Sequence, residues 1–413
     1  LKRIGRKLIC CLLLILSFNL SLVGLESQAH ASTGSFYDMK ARAAYAIDAQ
    51  TGQVLYQKNA NKVYPIASLT KILTLAVIEQ DIRDHRLSWK QKVKITPAVA
   101  KVANDWHFSN VQLNAGEEYS IRQLAESMMI VSADGSAEAL ALASAGSTAA
   151  FNQKMQKVAR AAGVHDAKIY NMIGLSNDSL GKHRLKGVAK DAENEMSAKD
   201  LALISRYVIT KYPETLKITK IKTANFDVAL GQQYLMTNIN ALLPQNGFAP
   251  NGWTIDGLKT GNTDAAGKCI VTTGTYAGRR VILVALHTEG DWNNQSKMQK
   301  EFYEALAANY QPVKLQKITD LPKSVHQTKV VNAKGRHHVR LQLDHSQWVW
   351  MQKGDDWRAA KPQFVVDPTH RSVTGKLKAP LKKGERIGKI ELQIKGMPML
   401  DVPVTSGQTV VKQ

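Results

Sequence analysis

Cysteine is nearly absent from this 413-residue chain. Cys10, Cys11 and Cys269 are all it has, which excludes a disulfide framework, and they form no CxxC or zinc spacing. Acidic residues are also scarce: 34 Asp+Glu stand against 55 Lys+Arg, leaving a formal charge of +21. Aromatic residues make up 7% and are nowhere interleaved with basic clusters, so the charge does not point to nucleic acid. Beyond the first 25 residues no apolar run is long enough to span a bilayer, which excludes a polytopic membrane protein. No internal repeat or low-complexity tract occurs. What the chain does have is 44% apolar and 22% charged residues, the balance of a globular protein rather than a disordered one. Its length suggests two or three domains.

The first segment is basic, Leu1-Lys2-Arg3-Ile4-Gly5-Arg6-Lys7, and is followed by an apolar stretch from Leu8 that weakens towards Leu25. Ala29-His30-Ala31 then supplies a small-residue site. That order is the layout of a secretory signal peptide over residues 1–31, with an uncleaved anchor as the alternative. Removal of this leader leaves Cys269 as a single thiol, which fits an exported bacterial enzyme better than a disulfide-rich eukaryotic one.

The apolar run Ala43-Ala44-Tyr45-Ala46-Ile47, a turn over 48–52 and a return over 53–56 predict a strand pair. Leu69, Ile72, Leu73, Ala76, Val77 and Gln80 recur at helical spacing. Further helices are expected over 121–131, through the alanine-rich 137–162, and from Ser197, as N-cap, to about Lys211. Residues 171–190 read as a polar loop. Strands 270–275 and 280–287 and a helix over 296–309 close this part, for which 32–311 is the expected domain. After Gln311-Pro312 the pattern turns to short alternating segments such as Val339-Arg340-Leu341-Gln342-Leu343, punctuated by Gly and Pro, as in a small β-sandwich. Residues 312–413 hold 19 Lys+Arg and 8 Asp+Glu, a surplus of 11 positive charges.

Three short motifs carry the chemistry. Ser68-Leu69-Thr70-Lys71 places a hydroxyl and an amine on one face at the start of a helix. A serine needs a base to become a nucleophile, and a lysine whose burial disfavours its charged form can serve. Backbone N–H groups at a helix start can in addition support a developing oxyanion. Ser179-Leu180-Gly181-Lys182 repeats the spacing but lies in a polar loop. Ser132-Ala133-Asp134 closes a helical stretch. Lys259-Thr260-Gly261 offers a cation and a hydroxyl for a carboxylate, with a glycine that permits close backbone approach. His337, His338 and His345 do not have a metal-binding arrangement and read as surface residues. Cys269 reads as a small buried side chain.

Taken in order, Ser-x-x-Lys, Ser-x-(Asn/Asp) and Lys-Thr-Gly resemble the signature set of penicillin-binding proteins and class A β-lactamases. Further stretches narrow the resemblance to the low-molecular-mass penicillin-binding proteins that are D-alanyl-D-alanine carboxypeptidases, peptidase family S11. They are Ala46-Ile47-Asp48-Ala49-Gln50-Thr51-Gly52, Pro65-Ile66-Ala67, Tyr170-Asn171-Met172-Ile173-Gly174-Leu175 and Asp256 to Asp264 with Ala266-Gly267. The likeness covers residues 40 to 310, and Ala379 to Gly388 extends it into the tail. It implies a serine β-lactamase/transpeptidase-like α+β catalytic domain, an antiparallel sheet with a helical cluster, followed by a small all-β domain.

It also implies an acyl-transfer enzyme of the cell wall; with the leader, the expected place is the outer face of a bacterial membrane, of Gram-positive type. Ser68 would attack the D-Ala-D-Ala bond of a peptidoglycan stem peptide, Lys71 would take its proton, and Ser132 would relay a proton to the leaving D-Ala. Lys259 and Thr260 would bind the terminal carboxylate, and the Ser68 and Asn262 N–H groups would form the oxyanion hole. A β-lactam would mimic the substrate. No metal or organic cofactor is implied, while anionic wall polymers or a membrane surface are further partners suggested by the basic tail. The family usually has Asn at position 134 and often an Arg ahead of the last helix. Here the first is Asp134, and the second region reads Asp291 to Lys297 without Arg, leaving Lys297 as the substitute. The competing expectations are a wall-binding homologue without turnover, a D,D-endopeptidase, and a β-lactamase, although Glu193 and Glu195 lack the Glu-x-x-x-Asn spacing of the last.

Overall fold

The computed structural model describes residues 35–413 apart from positions 245 and 336, so the leader reading falls outside the described residues. A five-stranded sheet organises the first part: β1 (Ala41–Asp48), β2 (Val54–Lys58), β3 (Thr254–Thr263), β4 (Gly267–Tyr276) and β5 (Arg279–Thr288). The order is β2-β1-β5-β4-β3, with every neighbouring pair antiparallel, which leaves β3 as an edge. Strand alternation sends successive side chains to opposite faces. On β5, Ile282, Val284 and Leu286 enter one apolar cluster, while Val281, Leu283 and Ala285 enter another. Because both faces are covered, the strand reads as a continuous apolar run, and the expected pairing of 270–275 with 280–287 is present.

The first face carries α1 (Thr70–Arg83), α2 (Ile121–Ile130), α3 (Asp134–Ala145), α4 (Thr148–Ala161) and α5 (Ala198–Lys211). Helix α1 is buried on nearly all sides, from Thr70 to Glu79. Ser197 caps α5 as expected, accepting from the Asp200 N–H at 3.1 Å. The alanine-rich stretch 137–162 is not one helix. Gly146 takes φ 72 and ends α3, and the Ser147 hydroxyl accepts from the Ala150 N–H to start α4. Alanine content conceals such a break, but a Gly-Ser pair supplies both the left-handed C-terminus and the N-cap.

The second face carries α6 (Trp292–Asn309). From there the same apolar cluster continues into the tail through Val349, Trp350, Leu392 and Val402. The tail contains the strand Tyr310–Leu315 paired with Gln347–Gln352, and a six-stranded sheet with its own small core. A buried carboxylate joins the parts. Asp48 receives Arg279 Nη2 at 2.6 Å and Nε at 2.9 Å, and Trp350 Nε1 at 2.9 Å. An Arg279→Met variant would leave that carboxylate buried without its cation, at a cost of about 3–5 kcal/mol. Denaturant unfolding measures this, and a loss below about 1 kcal/mol would show that the pair does not hold the tail.

Candidate active site

The serine of the Ser-x-x-Lys motif sits in a tight 3-10 turn, Ala67–Leu69, that runs directly into α1. Ala67 has φ 48, and the loop at 171–174 closes under the turn. Gly174 has φ 87, and a Cβ there would lie 2.0 Å from the Ala67 carbonyl oxygen, so only glycine fits. Asn171 Oδ1 receives the N–H groups of Ile173 and Gly174, at 3.1 and 2.7 Å. Asn194, fully buried, donates to Thr70 Oγ1 and to the Asn171 carbonyl and accepts from the Tyr170 N–H. Its own carbonyl receives the Ile66 N–H at 3.0 Å. Asn194 thus ties the chain before and after the serine to the supporting loop. The sequence reading missed it, because a lone Asn in a polar stretch carries no pattern of its own.

Lys71 extends from the first turn of α1, and its side chain is fully buried. Its Nζ is 2.7 Å from Ser68 Oγ, 2.6 Å from Asp134 Oδ1 and 2.9 Å from the Ile173 carbonyl. An ammonium satisfies all three as donor. A neutral amine donates to Asp134 and Ile173 and keeps its lone pair for the Ser68 hydroxyl proton, so the same geometry suits both forms. Burial pushes Lys71 below the usual lysine range, opposed by the charge and hydrogen bond of Asp134. Burial likewise pushes Asp134 above the usual carboxyl range, opposed by Lys71 and then by Lys259. Of the two buried lysines nearby, Asp134 pairs with Lys71: among the described residues no ion pair joins it to Lys259.

Asp134 is the first residue of α3 and is held from outside. Its N–H donates to the Ser109 carbonyl at 2.8 Å, and the next N–H, of Gly135, donates to Asn110 Oδ1 at 2.9 Å. Ser132 lies between α2 and α3 with φ 64, an uncommon conformation for a residue with a side chain. It is buried, and its hydroxyl makes no hydrogen bond to another described residue.

Strand β3 closes the site. A Cβ on Gly261 would stand 2.9 Å from the Ser68 nitrogen, so the strand backbone lies directly against the Ala67–Leu69 turn. Gly257 faces the same way, towards Thr219. Lys259, between them by alternation, shares this helix side, where its Nζ donates to the Thr260 carbonyl at 2.8 Å. Burial, and after it the charge of Lys71, hold the Lys259 amine well below its usual range. Thr260 and Asn262 take the other face of β3. The Thr260 hydroxyl has no hydrogen-bond partner among the described residues, and Asn262 is exposed.

Other expectations fall outside the site. Ser179 pairs with Ser176 Oγ at 2.9 Å, and Lys182 is exposed. Lys297 is exposed on α6, 3.9 Å from Glu301. Glu193 accepts from Thr263 Oγ1 and Glu195 pairs with Lys168; neither bonds to Ser68 or Lys71. Burial pushes the Cys269 thiol up to about 12, which keeps it protonated.

A family model described as D-alanyl-D-alanine carboxypeptidase matches residues 27–290, and one described as penicillin-binding protein 5, C-terminal domain, matches residues 316–412. Among curated relatives, D-alanyl-D-alanine carboxypeptidase DacF of Bacillus subtilis is 24% identical over 90% of this chain and 86% of its own. DacC of Escherichia coli is 27% identical over 88% and 82%. A D-alanyl-D-alanine endopeptidase of Escherichia coli, 26% identical, aligns with 68% of this chain. Among solved structures, a peptidoglycan synthesis regulatory factor (PBP3) of Streptococcus pneumoniae superimposes with a TM-score of 0.66 at 26% identity, over 90% of this chain and all of that one. Penicillin-binding protein D2 of Listeria monocytogenes in its cefotaxime-bound form gives 0.51 at 26%, over 65% and 96%. The transpeptidase-like fold with a β-rich tail, expected from the motifs, is therefore borne out.

Proposed function

The chain belongs to the D-alanyl-D-alanine carboxypeptidase family, and from that premise we propose that it removes the terminal D-Ala from peptidoglycan stem pentapeptides through an acyl-enzyme on Ser68. The observation that carries this reading is the buried contact of 2.7 Å between Lys71 Nζ and Ser68 Oγ, beneath the strand that bears Gly261. Lys71 in its neutral form takes the hydroxyl proton as the serine oxygen attacks the penultimate carbonyl. The Ser68 N–H and that of Asn262 stabilise the oxyanion, since donors placed beforehand cost no reorganisation at the moment of reaction. Ser132, with its uncommitted hydroxyl, passes a proton to the leaving amine, and water then frees the acyl group. A β-lactam acylates the same oxygen.

The carboxypeptidase reading is favoured over the endopeptidase one because carboxypeptidase relatives align through the tail. Release of D-Ala from a purified pentapeptide stem tests it; cleavage of cross-linked dimers without D-Ala release would overturn it.

Export to the outer face of a Gram-positive membrane belongs to the same proposal, supported by the leader's basic, apolar and small-residue order. So does retention by anionic wall polymers or a membrane surface, supported by the tail's surplus of 11 positive charges. Screening shortens from about 10 Å at 0.1 M salt to about 3 Å at 1 M, so high salt should release the protein from cell envelopes. Retention unchanged at ~1 M salt would sink the electrostatic part.

A further inference from the structure

A carboxypeptidase must recognise the free carboxylate at the end of its substrate, which calls for a cation or convergent donors. Lys259 is poorly placed to supply that charge directly. Its amine is buried on the helix side of β3, bonded to the Thr260 carbonyl, whereas the free hydroxyl of Thr260 is on the opposite side. Lys297 stands out in solvent beside Glu301.

The face of Thr260 holds another lysine. Lys268, near the start of β4, is directly across from Asn262, just as Ile270 is across from Thr260. Directly opposed residues of an antiparallel pair share a face, and diagonal neighbours lie about 7–8 Å apart, within reach of a long side chain. That the face is the α6 side is confirmed by Thr272, two further along β4, whose hydroxyl donates to Gln299 at 2.7 Å. The Lys268 Nζ lies 6.0 Å from the centre of the Trp292 ring at the start of α6. Among the described residues it has no carboxylate partner and no hydrogen bond. A half-buried ammonium propped on an indole, beside a free threonine hydroxyl and an exposed asparagine on the edge strand, is a carboxylate site without its carboxylate.

We propose that Lys268, together with Thr260, binds the substrate's terminal carboxylate and so determines specificity for a free C-terminus. This rests on the D,D-carboxypeptidase reading. It assigns to a strand residue the charge that the sequence comparison sought ahead of the last helix.

The test compares kcat/KM for a peptide ending in D-Ala-D-Ala with that for its C-terminal amide. In Lys268→Gln the acid substrate should lose roughly 10- to 100-fold, the range of one charge-assisted hydrogen bond, while the amide stays within about twofold. Lys268→Arg should restore the preference, and Lys297→Gln should leave it unchanged. Equal losses on both substrates, an unchanged acid-to-amide ratio in Lys268→Gln, or a collapse of that ratio in Lys297→Gln would overturn the assignment. A wild-type protein that cleaves neither substrate would refute the carboxypeptidase reading and this proposal with it. An active wild type with an indifferent Lys268→Gln refutes Lys268 alone.

Discussion

Ser68→Ala is expected to abolish labelling by a fluorescent penicillin and to lower D-Ala release on the order of 10⁶-fold, the scale seen when a serine nucleophile is removed. Ser179→Ala should do neither. The two serines share the same local motif, so the contrast isolates what surrounds them. Lys71 leaves its helix towards Ser68 in a buried site and makes a 2.7 Å contact, whereas Lys182 is in solvent and Ser179 bonds to Ser176. The variant should fold, because the Ser68 hydroxyl makes one side-chain contact and alanine fits the turn. Mass spectrometry of the penicillin-treated wild type should place the adduct on the peptide containing Ser68. An adduct elsewhere, with Ser68 unmodified, would falsify the assignment.

Asp134→Asn should keep or raise acylation and move the rising limb of its pH profile to lower pH. The sign follows from the neighbours of Lys71. Burial favours its neutral form, and the opposing influence is the charge and hydrogen bond of Asp134. An amide retains an oxygen to accept from Lys71 but removes the charge, so the amine loses its proton at lower pH and is available as base earlier. Below the amine's pKa, each unit of downward shift gives about tenfold more free base. At neutral pH the expected change in the acylation rate is therefore between none and roughly tenfold upward. A rate that instead drops by orders of magnitude would show that the carboxyl itself carries the proton. The same substitution removes a charge that favours protonated Lys259, which works in the same direction as its effect on Lys71.

Much of the catalytic part was legible because its motifs are local. Ser68 and Lys71 are one helical turn apart, and a helix guarantees that i and i+3 share a face. Gly261 was read as a point of close approach, and the 2.9 Å separation between its potential Cβ and the Ser68 nitrogen gives the reason. The helical break at Gly146-Ser147 was missed because alanine composition outweighed two residues whose capping roles are specific. Asn194 was missed because its partners, Thr70, Asn171 and the Tyr170 N–H, come together only when separate chain segments close on one another.

Residue type and short spacing were enough to indicate the reaction class, to nominate Ser68 with Lys71 beside it, and to mark a basic β-rich tail. Tertiary structure decided which lysine Asp134 serves, because positions 71 and 134 meet only through the packing of α1 against α3. It also decided how the lysines divide around β3. Lys259 turns inward to the helices, while Lys268, unremarkable in sequence, is carried by the register of two strands onto the face of Thr260. Register links residues through hydrogen bonds between distant segments, and that information is absent from any local pattern.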